Sequence, residues 1–184
     1  MKKNIQMVVT VALLIFAASC SLYEKVVDVP QQFSLDVASA ACSSPQFEVS
    51  TTINTASEEI EKYKDDNVAF DVEKVSFTIE KVSFTVDGCK GKAASALAGN
   101  LMFAPAGTTA FKKLGAVSHA NLSALAANGE EVSLALTNGT AKQELVNLLR
   151  TGSPVTFQLE GAAAGVPVAA TLNFKVYATM TVEY

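Results

Sequence analysis

The longest unbroken alternation of apolar and polar positions lies at the C-terminal end of the chain. Val166, Val168, Ala170, Leu172, Phe174, Val176, Ala178, Met180 and Val182 recur at every second position, with Thr171, Asn173, Lys175, Thr179, Thr181 and Glu183 between them. Successive side chains of a strand point to opposite faces, so this spacing predicts one long antiparallel strand, half buried and half wet. At that length it is expected to bend or to be shared between two sheets. Val155, Phe157 and Leu159 predict the strand before it, with Gly161-Ala162-Ala163-Ala164-Gly165 as the connecting turn.

The same period recurs earlier. Phe33, Leu35 and Val37 predict a first strand, and Phe47, Val49 and Ile53 a second, separated by a turn over residues 42–45. Glu73-Lys74-Val75-Ser76-Phe77-Thr78-Ile79 is echoed by Glu80-Lys81-Val82-Ser83-Phe84-Thr85-Val86. Its β-branched and aromatic content favours strand. A seven-residue echo reverses the facing of the apolar set, because the side-chain period is two. A bulge or bend at each Glu-Lys pair would restore it. Asp87-Gly88 then reads as a turn. Leu97, Leu101 and Phe103 predict a strand ended by Pro105-Ala106-Gly107; Leu114, Val117 and Leu122 predict a less regular one; Val132, Leu134 and Leu136 predict a clean one after the Asn128-Gly129 turn.

Two stretches break the alternation. In residues 57–66, Ser57 can cap a short helix with Glu58 and Glu59 in its first turn. Thr140 with Gln143 has the spacing of a capping box, and Leu145, Val146, Leu148 and Leu149 form an apolar stripe that Gly152 and Pro154 stop. That helix is expected to cover one open end of the strands. About nine strands and two short helices predict a mainly β protein, an antiparallel β-sandwich of immunoglobulin-like or jelly-roll-like form. The helix–strand–hairpin ending resembles the β-sandwich of the late-embryogenesis-abundant type-14 family over about 45 residues.

The N-terminal end follows another logic. Lys2 and Lys3 precede an apolar run from Ile5 to Ala18, interrupted by Gln6 and Thr10. The run is shorter than the roughly 20 residues a membrane-spanning helix needs and fits the apolar core of a signal peptide. Ala17-Ala18-Ser19-Cys20 resembles the lipobox of bacterial lipoproteins, with Ala17 where that family more often has Leu. The resemblance implies cleavage before Cys20 and acylation of that residue. Residues 1–19 would then be a signal peptide, 20–30 a lipidated tether and 31–184 the folded body. Ser21 is not the aspartate that resembles an inner-membrane retention signal, so the implied destination is the outer membrane. The overall layout resembles single-domain lipoproteins of Bacteroidota.

Charge and chemistry narrow the function classes. Beginning at Cys20, the chain holds 165 residues with 12 basic against 18 acidic, a net charge of −6. That balance argues against nucleic acid and against electrostatic docking on anionic lipid, leaving the lipid anchor as the expected membrane contact. Cys42 and Cys89 both lie in turn-like surroundings. An exported chain permits a disulfide between them, closing a 48-residue loop worth about 4 kcal/mol if unstrained; two separate thiols fit equally. Neither has a Cys-x-x-Cys partner, so no metal is expected.

His119 is the lone histidine, in a strand-like stretch, and reads as structural. No Gly-x-Ser-x-Gly elbow occurs, and Gly88-Cys89-Lys90-Gly91-Lys92 lacks the spacing of a phosphate loop. Nothing selects a carboxylate pair among 18 acids. There is no tryptophan, and Tyr177 is the one tyrosine expected on the outer face of a regular strand. No catalytic residue and no cofactor is expected. The leading expectation is a non-enzymatic envelope lipoprotein, structural or protein-binding. The alternative is a module for a glycan or small apolar ligand, the latter held in a pocket between the sheets.

Overall fold

A computed structural model describes residues 24–39, 46–55, 75–91, 95–137, 139–165 and 168–183. The long C-terminal strand, β10 (Val168–Glu183), is the axis of the first sheet. Strand β4 (Val75–Gly91) runs antiparallel along one side of it. Two strands divide the other side: β1 (Glu24–Asp28) from Thr179 to Glu183, and β2 (Gln31–Ser39) from Val168 to Val176. Between them the Val29 N–H donates to the Ala178 carbonyl at 2.9 Å, so this edge continues past Pro30. Strand β7 (Val132–Ser133) closes the far side of β4. The second sheet runs β3 (Gln46–Ile53), β9 (Val155–Ala164), β5 (Ala96–Pro105), β6 (Lys112–His119), β8 (Ala135–Leu136).

The pairing is nested. Strand β5 pairs β6, β4 pairs β7, β3 pairs β9 and β2 pairs β10, each pair enclosing the previous one in sequence. Successive pairs alternate between the two sheets. That is one long hairpin rolled on itself, the jelly-roll arrangement. Topology thereby chooses between the two sandwich forms that the alternation alone left open. The long C-terminal strand stays within one sheet.

Apolar parity lines the interior as expected. Phe33, Leu35 and Val37 of β2, and Ala170, Leu172, Phe174, Val176, Ala178 and Met180 of β10, are buried. In β4 the inward set changes parity, from Phe77 and Ile79 to Val82, Phe84 and Val86. Register explains it: Lys81 pairs Tyr177 and Ile79 pairs Ala178, so Glu80 is an unpaired extra residue. The bulge expected at the second Glu-Lys pair is present; the first pair lies outside the described residues. A second shift falls between Asp87 and Lys90, where Gly88 has φ +60°. Asp87-Gly88 is therefore a bulge and not a turn, and β4 runs on to Gly91. Across the middle, the Phe33 ring stacks on Phe157 of the opposite sheet with centroids 4.1 Å apart. Phe33 also lies 5.2 Å from Phe174, which lies 5.7 Å from Phe84. These four rings fill the space between the sheets there.

Several expectations are corrected. The stretch read as a tether contains β1, so the described body starts at Glu24 and not at Gln31. The turn expected at Gly161 is absent; β9 continues to Ala164. Gly161 faces Gly99 in register, and a Cβ on Gly161 would stand 2.4 Å from the Ala98 carbonyl oxygen. Glycine is thus required by close backbone approach. The single strand expected over Val132, Leu134 and Leu136 is two short pieces in different sheets. The chain crosses between them at buried Leu134, whose N–H donates to the Val82 carbonyl at 2.8 Å. Leu122, expected in a strand, begins helix α1 (Leu122–Asn128), capped by Asn121 Oδ1 accepting from the Ala124 N–H at 3.0 Å and ended by Gly129 at φ +60°.

Helix α2 (Thr140–Thr151) matches its expected stripe, with Leu145, Val146 and Leu149 buried. It packs on both β4 and β6, so it spans the two sheets as an end cover does. The expected capping box is not formed: Gly139 is the cap position, without a side-chain bond, and Thr140 is already helical. The helix expected over residues 57–66 lies outside the described residues, as do Cys20 and Cys42. Among the described residues no helix is long and apolar enough to cross a membrane.

Candidate functional site

The two outer faces of the sandwich differ in kind. On the first sheet, outward side chains bond one another across strands. Thr171 donates to Asp36 at 2.6 Å; Ser34 donates to Asn173 Oδ1 at 2.6 Å, and Asn173 Nδ2 donates to Asp87 at 2.6 Å. Further along β10, one carboxylate oxygen of Glu131 accepts three bonds: from Ser83 Oγ, from Lys81 Nζ at 3.0 Å and from the Tyr177 hydroxyl at 2.8 Å. Glu131 immediately precedes β7, so this contact pins the approach to β7 onto the sheet. The hydrogen bonds from Ser83, Lys81 and Tyr177 hold its carboxyl well below the usual range, at about 2. The Glu131 hydrogen bond in turn raises the Lys81 pKa.

This cluster is a poor place for chemistry. A base that deprotonates a hydroxyl near neutral pH works best with a pKa near the ambient pH, and Glu131 is far below it. Nor is Tyr177 a bare sugar platform: Lys81 Nζ lies 4.2 Å and Lys175 Nζ 4.4 Å from its ring centroid. Cation–π contacts of this length occupy the ring.

The outer face of the second sheet carries one such bond, between the Thr52 and Thr156 hydroxyls at 2.8 Å, and is open beyond it. A groove of about 730 Å³ crosses β3, β9 and β5 around the paired Gly99 and Gly161. Ala98 and Ala162 form its floor, and Gln46, Glu48, Asn100 and Glu160 its polar wall. Ala98 and Ala162 also line an adjoining trough of about 650 Å³ that reaches Ser118 and His119 at the end of β6 and Ala120 just beyond it. Glu48 and Glu160 stand directly opposite each other in the β3–β9 register.

The residues singled out in the sequence fall apart in space. His119 Nδ1 accepts the Asn121 N–H at 3.1 Å, next to the α1 cap, which is a structural role at a trough rim. Cys89 is a free, half-buried thiol with Sγ 3.6 Å from Ser123 Oγ. Among the described residues, no three His, Cys, Asp or Glu side chains gather as metal ligands. Glu131 and the groove escaped sequence reading. Glu131 meets Tyr177 across 46 residues, a contact that no local pattern carries. The groove had a faint signal, the small residues Ala96, Ala98 and Gly99 and the run Gly161-Ala162-Ala163-Ala164, but the second of these resembled a turn.

No protein-family model matches the chain, and no curated protein matches it. Among the solved structures with some likeness are three of viral origin. "Desmodium yellow mottle tymovirus" matches at 12% identity and TM-score 0.33, covering 88% of each chain. "Turnip yellow mosaic virus" matches at 9% and 0.31, covering 87% of this chain and 95% of that one. A decameric BFDV capsid protein matches at 10% and 0.32, covering 86% and 99%. At such scores nothing about this chain follows from the likeness. The class of protein is an antiparallel β-sandwich, established by its own strand pairing.

Proposed function

We propose that the chain is a non-enzymatic lipoprotein of the cell envelope, anchored by acyl chains on Cys20, whose jelly-roll body is a protein-binding or structural accessory at the outer membrane. The observation that carries this reading is where the first described strand starts. Strand β1 begins at Glu24, four residues after Cys20, and four residues span at most about 14 Å. Acylation at Cys20 would hold the β1 end of the first sheet close to the lipid. The body's acidic balance gives a membrane surface little to attract, so the acyl chains carry the attachment. Multiple chains suffice for stable anchoring.

The accessory role draws support from the interior and the outer faces. Stacked phenylalanines occupy the middle of the space between the sheets, where an apolar ligand was an alternative expectation. The tyrosine considered for glycan stacking is covered by two lysines. The open surface lies outside, on the second sheet, where a macromolecule can reach it.

Labelling cells with radioactive palmitate tests the anchor. The wild-type chain is expected to take up label and Cys20→Ala to lose it, with the variant released from the membrane fraction. Label retained on the variant, or an intact N-terminal Met1 on the purified mature protein, refutes the reading.

A further inference from the structure

Resting on the protein-binding reading above, we infer that the groove on the outer face of the second sheet is the docking surface, and that its occupant is an extended basic segment of a partner protein. A lysine or arginine would sit between Glu48 and Glu160, with the segment's backbone passing over the alanine floor.

The first support is the contrast between faces. Ala98, Ala116, Ser118, Ala120, Ala162 and Ala164 are all exposed and carry almost no side chain. On the first sheet the corresponding face is closed by its own bonded side chains. A floor of Cβ atoms lets another backbone approach closely, and it spans β9, β5 and β6. Strands lie about 4.8 Å apart, so the β3-to-β6 width is about 14 Å, room for roughly four extended residues at about 3.4 Å each.

The second support is charge. Like charges directly opposite on antiparallel strands weaken the pairing, yet Glu48 and Glu160 face each other in register. The ion pairs among the described residues, Lys81–Glu131 and Lys112–Glu144, do not involve them. No lysine or arginine is among the described residues lining the groove or the trough. Opposed residues of such a pair have Cβ atoms about 5 Å apart, close enough for one ammonium or guanidinium to reach both carboxylates. Charge-assisted bonds of that kind are the strong ones. Gln46 and Asn100 flank the pair and can bond the peptide backbone. An acidic partner would meet two carboxylates that have no ion-pair partner among the described residues.

The test uses a fluorescein-labelled decapeptide of alternating lysine and alanine, titrated with the full chain in detergent and followed by anisotropy in 50 mM salt. An alternating glutamate–alanine peptide is the control. Three variants are compared: Glu48→Gln with Glu160→Gln, Ala98→Phe, and Glu80→Gln with Glu130→Gln, which makes the same charge change outside the groove. The groove double variant and Ala98→Phe are each expected to weaken binding at least tenfold, and the outside double variant less than twofold. Ala162→Phe replaces Ala98→Phe if the latter does not fold by circular dichroism.

Equal weakening by the two double variants, an unaffected floor-filled variant, or no binding of the basic peptide overturns the assignment. In cells, a photo-crosslinking residue at position 162 is compared with one at position 78 on the opposite face. Adducts from position 162 support the groove. Adducts from position 78 alone refute the groove and leave the accessory role standing; adducts from neither refute both.

Discussion

Replacing Glu131 by Gln should destabilise the protein near neutral pH and matter progressively less in acid. Gln keeps the shape and an acceptor oxygen but removes the charge that three donors share. The carboxyl is held at about 2 in the folded protein, against an ordinary value of 4.5. Each unit of difference corresponds to about 1.36 kcal/mol, so full linkage would give about 3.4 kcal/mol. The Glu131 side chain keeps 38% of its surface in solvent and Lys81 keeps 44%, and screening reduces such a contact to about 1 kcal/mol.

The sign follows from proton counting. Between the two values the unfolded chain binds a proton that the folded one does not, so stability rises with pH there. The contribution is complete above about pH 4.5 and is lost as pH falls toward about 2. Urea unfolding of wild type and Glu131→Gln, followed by circular dichroism at pH 7, 5 and 3, should give a difference of about 1 kcal/mol at the first two and markedly less at the third. Other carboxyls titrate in both proteins and cancel in the difference. A gap that is the same at pH 3 as at pH 7, or no gap at pH 7, would refute the reasoning.

Two further outcomes follow from backbone geometry. Gly161→Ala should cost about 3 kcal/mol in urea unfolding, because its Cβ would meet the Ala98 carbonyl oxygen at 2.4 Å within a paired strand and overpacking of this kind costs about 1–3 kcal/mol or more; a loss under 1 kcal/mol would contradict the close approach. Asn121→Ala should cost about 1 kcal/mol by removing the α1 cap, while Thr140→Ala, at a position that caps nothing, should change stability by less than about 0.5 kcal/mol; the reverse order in thermal melts would restore the capping box.

Legibility in the sequence followed the range over which each element is determined. Strands β2 and β10 were readable because their inward positions, the buried Gln31 at the start of β2 apart, are apolar, and the β4 bulge was readable because a seven-residue echo cannot keep one facing without an extra residue. Strand β1 was not. Its adjacent Val26 and Val27 show no alternation; Val26 is exposed and only Val27 packs inward. Its existence depends on β10 being longer than β2, a fact of pairing and not of local pattern. Helix α1 was hidden because Leu122 continues the spacing of Leu114 and Val117, while the deciding features are a cap at Asn121 and a left-handed Gly129. Gly161 misled for a related reason: glycine marks turns and close approaches alike, and only the opposite strand tells which. The groove depends on what two facing strands lack, so neither segment announces it alone.

The strand at the centre of the first sheet comes later in the chain than each of the described strands it pairs with. Before Val168–Glu183 emerges, neither β2 nor β4 has its main neighbour, and the rings of Phe33 and Phe84 have no Phe174 to close on. Pairings that join residues more than a hundred positions apart form slowly. In a nascent chain of this design the first sheet stays open until Val168–Glu183 has been made.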